Sequence, residues 1–325
     1  MSNPNVTGEK VAFFLAGEIS ERFIIYAPID EVVTRPVTCY QMFNEAYPTK
    51  PIYMMVTTGD NNFDEGQRMV QKQISVLQRA DKKSKHIPEL LLHGTIPALC
   101  YTEDGRIKEE PSPDITNRSI CIFSHETHPI AEFRAFSEKG YLPPLIALVV
   151  GYGMIRALAS LHRLGFVHRG VSPYTFGYKI PITIARLQHE IVIIDFCSVL
   201  PFPSEPRLHA PFTGTLRYSS LNSHRGKDLG PADDIVSVIF VIAELIYGKL
   251  PWRSICMSEA IAEAKLRFPS SLCFNHLPRE IRFLYYDMMK KLNTSPLNYL
   301  QILKTFQEAI RRYSYQAKHL PHFMR

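Results

Sequence analysis

The feature that most constrains this chain is the run DDIVSVIFVIAELIYGK, residues 233–249. Almost every position in it is apolar, so it leaves no face for water. It opens on Asp233 and Asp234, which favour a helix N-terminus, and closes on Gly248, which suits a helix end. Its apolar stretch is shorter than the ~20 residues a bilayer crossing needs and carries Glu244. It therefore reads as a helix buried on all sides, around which other helices must pack. LPPLIALVVGYGMIRALASLHRLG (142–165) supplies one, with Pro143 and Pro144 at its start and Gly165 at its C′ position. REIRFLYYDMMKKL (279–292) and YLQILKTFQEAIRRY (299–313) are amphipathic, and EIVIIDF (190–196) is a short buried strand.

The preceding part of the chain has a different character. RFIIYAP, VTCYQMF, PIYMMVT and RSICIF are β-rich runs separated by Pro, Asp and Asn. One helix interrupts them, EGQRMVQKQISVLQRA, with Met69, Val70, Ile74 and Leu77 at helical spacing. ALCYTEDGRI carries an Asp-Gly turn signal. The expected organisation is α+β: an N-terminal arm over 1–20, a small β-rich lobe over 21–127, a larger helical lobe over 128–315 and a tail over 316–325. There is no internal repeat and no low-complexity segment.

Hydrophobic residues make up 46% and charged residues 21%, ordinary for a globular protein of 325 residues. The net charge of +6 comes with no dense basic block, so a solvated surface is expected rather than a nucleic-acid or membrane partner. The start, MSNPNVTGEKVAFF, does not resemble a secretory signal. Six cysteines are scattered without metal-binding spacing and mostly inside apolar runs. Free thiols in a reducing compartment follow, cytoplasmic and/or nuclear. The Asn-x-Ser/Thr triplets at Asn5, Asn117 and Asn293 are then chance matches.

Four landmarks follow one another: FVHRGVSPYTF, IVIIDFCSV, GTLRYSSLNSH and DDIVSVIFVIAELIYGKLPW. In this order they resemble the protein-kinase fold, and specifically the casein kinase I group, whose segment after the activation loop reads much like Gly214–His224. The resemblance runs from about Glu21 to Tyr315 and implies a two-lobe fold. It also implies a set of catalytic positions, and most of these hold other residues here.

Kinases carry a base in the sequence H-R-D-x-x-x-x-N, where the Asp takes the substrate hydroxyl proton and the Asn binds Mg²⁺. Here the Asp position is Gly170, which has no proton acceptor, and the Asn position is Thr175, a poor ligand for a hard dication. The loop Lys falls on Ser172, while His168 and Arg169 remain as structural fasteners. YMMVTT puts Val56 where a strand Lys should hold ATP, and QKQISVL puts Gln73 where that lysine's Glu partner should be. Losing both partners together leaves no orphan buried charge. Lys50 and Lys72 lie nearby, at the wrong offset.

The phosphate lid needs glycine, so that backbone N–H groups can approach phosphate without a Cβ in the way. No glycine occurs between Gly17 and Gly59, while Pro36, Asp30 and Glu31 lie near the turn. Asp195 in IIDFC is the one metal-binding position kept, and it is followed by Cys197 in place of the family's glycine. Thr215, Asp234 and Trp252 match fastening positions, with Asp234 read as an N-cap that also anchors the catalytic-loop backbone. Arg217 matches an anion-binding residue, with Lys265 as a further cation at an uncertain offset.

The reading is a degenerate, pseudokinase-like member of the casein kinase I group, a protein-interaction or regulatory module without phosphoryl transfer. Its expected partner is a protein or phosphopeptide, and no cofactor is expected. The alternative is a weak serine/threonine protein kinase that binds ATP and Mg²⁺ and phosphorylates proteins, with Asp195 as the nearest substitute base.

Overall fold

The computed structural model describes residues 23–28, 36–44, 47–57, 63–96, 100–103, 106–109, 118–124, 127–137, 139–205, 207 and 209–316. The expected arm over 1–20, Asp30, Glu31 and the tail after 316 lie outside them. The chain divides into two compact units. One runs to Lys83 and then over Pro88–Glu126; the other comprises Ser84–Ile87 and Thr127–Arg325.

The first unit contains β1 (Phe23–Pro28), β2 (Val37–Asn44), β3 (Tyr47–Thr57), α1 (Phe63–Ala80), β4 (Leu90–Ile96), β5 (Cys100–Glu103), β6 (Arg106–Glu109) and β7 (Arg118–Ser124). Five strands form one antiparallel sheet in the order β1-β2-β3-β7-β4, and β5 and β6 pair separately. β4 was not anticipated from the sequence. Its LLLHGTI lacks a clean period of two and carries Gly94, yet it pairs with the interior strand β7 from Arg118 to Phe123.

In β3, Met54, Met55 and Val56 are buried in succession, as befits a central strand covered on both faces. α1 buries Val70, Gln73, Ile74 and Leu77, whereas Met69 is half-buried. The start of α1 approaches the sheet closely. A Cβ on Gly66 would lie 2.3 Å from the Pro36 carbonyl oxygen. Next to it, the side-chain oxygen of Gln67 accepts hydrogen bonds from the Ser119 N–H at 2.9 Å and the Thr57 hydroxyl at 3.1 Å. These bonds pin α1 to β7 and β3.

The second unit begins with β8 (His128–Pro129) and a 3₁₀ turn, Ile130–Phe136, and continues with α2 (Pro144–Arg163), β9 (Phe166–Val167), β10 (Phe176–Tyr178), α3 (Ile184–His189), β11 (Val192–Ile193) and β12 (Leu200–Pro201). α4 (Leu221–His224), α5 (Pro231–Tyr247), α6 (Ser258–Leu266), α7 (Leu272–Asn275), α8 (Arg279–Lys290) and α9 (Tyr299–Gln316) complete it. α5 is buried from Pro231 to Ile246, as its composition requires. α2 is long and apolar enough to cross a membrane by length and composition, but 78% of its apolar window is buried in the protein. Gly165 and Gly248 follow their helices with φ of 82° and 88°, the left-handed region that glycine enters without strain.

Two expectations shift. The strand expected over EIVIIDF shrinks to Val192–Ile193. α5 starts at Pro231, so the N-cap is Gly230 rather than Asp234. Asp233 caps it instead, accepting the Gly230 N–H at 2.9 Å, and Asp234 lies in the first turn, free to face elsewhere. The segment Ser84–Ile87 is held by two bonds. His86 Nδ1 donates to the Ile191 carbonyl at 2.7 Å, and the His86 carbonyl accepts the Ile193 N–H at 2.9 Å. Burial, the largest influence on it, pulls the His86 pKa down to about 4.

Candidate functional site: a kinase-like loop without its base

The loop between β9 and β10 is organised by Asp234. Its fully buried carboxylate accepts the backbone N–H groups of His168 and Arg169, each at 2.8 Å, and lies 2.8 Å from His162 Nε2. His162 Nδ1 in turn meets the Tyr299 hydroxyl. Burial alone would raise the Asp234 pKa. The bonds and charge of His162 and the loop donors outweigh it and hold the carboxyl below its usual value. The anchoring role expected of Asp234 is thus made by side chain to backbone.

The clamp also supports an unusual backbone. Arg169 has φ of 63°, which costs a non-glycine residue roughly 1–2 kcal/mol. Its Nε donates to the Ser198 carbonyl at 2.9 Å. His168 is buried, stacked on Phe176, and accepts the Gly170 N–H at Nδ1 over 3.1 Å, which places the neutral ring's proton on Nε2. Burial lowers its pKa against the opposing pull of Asp234 and Asp195.

Gly170 is packed rather than merely bare. An added Cβ would lie 2.9 Å from both Cβ and Oγ of Ser198. Thr175 is buried, and its hydroxyl accepts the Ser172 N–H at 3.0 Å while facing the carbonyls of Gly170 (3.2 Å) and Ser172 (3.1 Å). Ser172 is likewise buried, and its Oγ accepts the Tyr174 N–H at 3.2 Å. The two hydroxyls close the loop on itself. The Ile194 N–H donates to the Thr175 carbonyl at 3.0 Å, which brings Asp195 beside this loop. Asp195 is half-buried, and one of its carboxylate oxygens accepts the Cys197 N–H at 2.8 Å.

These groups offer a divalent cation one carboxylate, Asp195, where the H-R-D-x-x-x-x-N loop of kinases adds an Asn ligand beside the nucleotide phosphates. Asp195 has one oxygen engaged by backbone, Thr175 has its hydroxyl engaged within the loop, and Gly170 and Ser172 add no carboxylate. Among the described residues no group of three His, Cys, Asp or Glu is poised for a metal. In the first unit, Val56 is fully buried and pairs with Thr38 and Ile120, and Gln73 is fully buried on α1. Neither position offers a cation. Lys72 is half-buried beside Gln73, and the side chain of Lys50 lies outside the described residues.

GTLRY is fastened from two sides. Gly214, with φ of 93°, lies so close to the loop that a Cβ would be 2.6 Å from the Arg169 carbonyl oxygen. Trp252 Nε1 donates to the Arg217 carbonyl at 2.8 Å, and the Tyr218 hydroxyl donates to the buried Glu244, which also pairs with Arg253 at 3.2 Å. Arg217 itself is half-buried, with its guanidinium 5.9 Å from the centre of the Tyr218 ring. Thr215 is exposed, and its carbonyl accepts the N–H groups of Tyr218 and Ser219.

Lys265 does not join Arg217 in an anion site. It is only 1% exposed and points inward, donating to the carbonyls of Leu216 at 2.7 Å and Ser219 at 2.6 Å. Its ammonium also lies 3.0 Å from His224 Nε2 and over the rings of Phe240 and Trp252. Burial pulls its pKa down to about 7, while the carbonyls and ring faces favour the ammonium. His224 is half-buried, and that burial together with the neighbouring Lys265 cation lowers its pKa to about 4.

Several members of this arrangement had no visible mark in the sequence. His162 sits at the end of an apolar buried helix and Tyr299 at the start of an ordinary amphipathic one. Ser198 becomes meaningful only once Gly170 is packed on it. A lysine on MSEAIAEAK reads as surface until its direction is known.

No family model matches the chain. A stretch of 158 residues is 33% identical to a probable serine/threonine-protein kinase of Dictyostelium discoideum, covering 47% of this chain and 30% of that protein. A stretch of 130 residues is 33% identical to a putative casein kinase I of Caenorhabditis elegans, covering 38% of this chain and 37% of the relative. The matched part thus spans about a third of the length of these relatives. Among solved structures, vaccinia related kinase 3 superposes with a TM-score of 0.67 at 13% identity, covering 95% of this chain and 93% of that one. The chain has the protein-kinase fold and is kinase-like, with sequence relatives named as serine/threonine kinase and casein kinase I.

Proposed function

We propose that this kinase-like chain is a pseudokinase that acts as an intracellular protein-interaction or regulatory module and does not transfer phosphate. The observation that carries this reading is Gly170. Where a kinase base would stand there is no carboxylate, and Ser198 fills the space a side chain would need. A general base contributes typically about 10²–10⁴-fold to rate. Three further features support the reading: Val56 and Gln73 replace the ion pair that orients ATP, Thr175 is engaged within its own loop, and Asp195 is tied to the Cys197 N–H. The well-fastened GTLRY segment, with half-buried Arg217, is the region for a protein or phosphopeptide partner. The rival, a weak serine/threonine kinase, has in its favour the second oxygen of Asp195.

A thermal-shift titration with ATP, with and without Mg²⁺, tests the proposal. A ligand at about 100 times its dissociation constant adds about 2.7 kcal/mol of stability. No saturable stabilisation is expected. Phosphate transfer to an acidic peptide that disappears on Asp195→Ala would establish the rival.

A further inference from the structure

The net charge of this chain is not spread evenly along it. Residues 288–325 hold seven Lys or Arg against one acidic residue, Glu308, a net +6 that equals the net charge of the whole chain. The residues before them sum to neutral. Such an asymmetry points to an anionic partner for this end of the sequence.

α9 turns part of this charge to one side. Its buried stripe is Ile302, Phe306 and Ala309. On the opposite side Leu300, Lys304, Gln307, Arg311 and Tyr315 follow at steps of four, three, four and four residues, so they form one line along the helix. All five are exposed, Leu300 by 67% and Tyr315 by 87%. Lys304 and Arg311 have no ion pair among the described residues, whereas Glu308 and Asp287 stand off this line, over the α8–α9 seam. The line is about 22 Å long. At its Leu300 end the α8–α9 connection adds Lys290, Lys291 and Leu292, the leucine 70% exposed. That connection is firmly held. The Gln301 N–H donates to Asn298 Oδ1 at 3.1 Å and the Ser295 N–H to the Leu292 carbonyl at 3.0 Å, and the Asn293 carbonyl oxygen would lie 1.9 Å from a Cβ on Gly230.

We propose that this line of α9, with the end of the α8–α9 connection, lies on an anionic lipid surface. A solvated helix face ordinarily mixes both signs of charge. This one carries a single sign, with an apolar or aromatic residue at each end. Leucine enters the acyl boundary, Lys and Arg extend their stems to lipid phosphates, and Tyr sits at headgroup level. Leu292 and Leu300 project singly, and a fluid bilayer accepts such side chains without a matching pocket. The proposal departs from the expectation of no membrane partner, which came from the overall charge; the distribution of that charge supports it. It does not rest on the pseudokinase reading: nucleotide titration tests that reading, and vesicle binding tests this one.

The test is flotation of the full chain with vesicles of phosphatidylcholine alone and of an equal mixture with phosphatidylserine. Binding to the mixed vesicles is expected to be tighter by about tenfold or more, and to be lost at raised salt. A basic residue near an anionic bilayer contributes about fivefold, so Lys304→Glu with Arg311→Glu should weaken binding by about 25-fold or more. Leu292→Ser with Leu300→Ser should weaken it by about tenfold or more. Neither pair should move the unfolding midpoint. In Leu300→Trp the emission should shift to the blue on mixed vesicles, against a silent background, because the one natural tryptophan, Trp252, is buried. Equal binding to both vesicle types, binding insensitive to either pair of substitutions, or an unshifted tryptophan would overturn the proposal. So would binding to a DNA duplex that exceeds vesicle binding and is lost with Lys304→Glu and Arg311→Glu, which assigns the line to nucleic acid.

Discussion

Gly170 and Ser198 are packed so closely that a single added carbon on Gly170 would stand 2.9 Å from the serine's Cβ. That atom is fixed to the backbone and cannot rotate aside. Gly170→Ala therefore lowers stability by about 1–3 kcal/mol, the usual cost of overpacking. In the Ser198→Gly background the same change costs less, giving a coupling of about 0.5 kcal/mol or more. Urea unfolding of the four proteins measures it, and a neutral Gly170→Ala would show that the contact relaxes freely. Gly170→Asp meets the same obstacle, so a carboxylate introduced there is expected to cost stability in the same way.

The first unit makes a parallel case. Val56→Lys places an ammonium at a fully buried position. An uncompensated buried charge costs about 3–5 kcal/mol. Adding Gln73→Glu should recover part of the loss, because the two positions correspond to an ion pair in the family this chain resembles. Thermal unfolding of the single and double variants decides. Recovery on Gln73→Glu would support the correspondence, and additive losses would place the two side chains out of reach.

How much of this was legible beforehand depends on the residue. The long helices and the central strands announced themselves through periodicity and composition, because burying them leaves few alternatives. β4 did not, since Gly94 and a run of leucines blur the period of two, and its strand identity comes from pairing with β7. Gly170 and Thr175 were readable as residue types, but their packing was not. The N-terminal boundary of α5 slipped because Asp233 and Asp234 both resemble caps, and only the geometry of Gly230 separates their roles. Lys265 was misplaced toward an anion site because a charged residue on a short helix gives no hint that it faces inward.

Lys265→Met tests that inward role. It removes the donor to the Leu216 and Ser219 carbonyls while keeping much of the volume. Leaving buried carbonyls without a donor costs about 1–3 kcal/mol each. The expected signature is a lower unfolding midpoint with local loosening of 214–220, read by amide hydrogen exchange. A midpoint unchanged from the wild type would show that water or a neighbouring donor replaces the ammonium.

His86 predicts acid sensitivity. Its folded pKa lies near 4, against 6.5 for the free side chain. Between those values the unfolded chain binds more protons, so stability is fully present above pH 6.5 and lost as the pH falls toward 4. A shift of this size corresponds to about 3 kcal/mol at most. His86→Asn, which keeps a donor near the Ile191 carbonyl, should flatten that part of the pH profile. Urea unfolding at pH 7 and pH 4.5 compares the two, with His224 contributing equally to both. Identical pH slopes would remove His86 from the account.

One carboxylate, Asp234, takes the N–H groups of His168 and Arg169 and meets His162, and none of these bonds involves a substrate atom. Within such a lineage, selection on folding and selection on chemistry act on different atoms. Mutation can erase the reactive groups one at a time without penalty to the heritable backbone path, because the residue that maintains the path is not the residue that reacts. A fold with its fastener separated from its reagent can outlive its first occupation and be put to another.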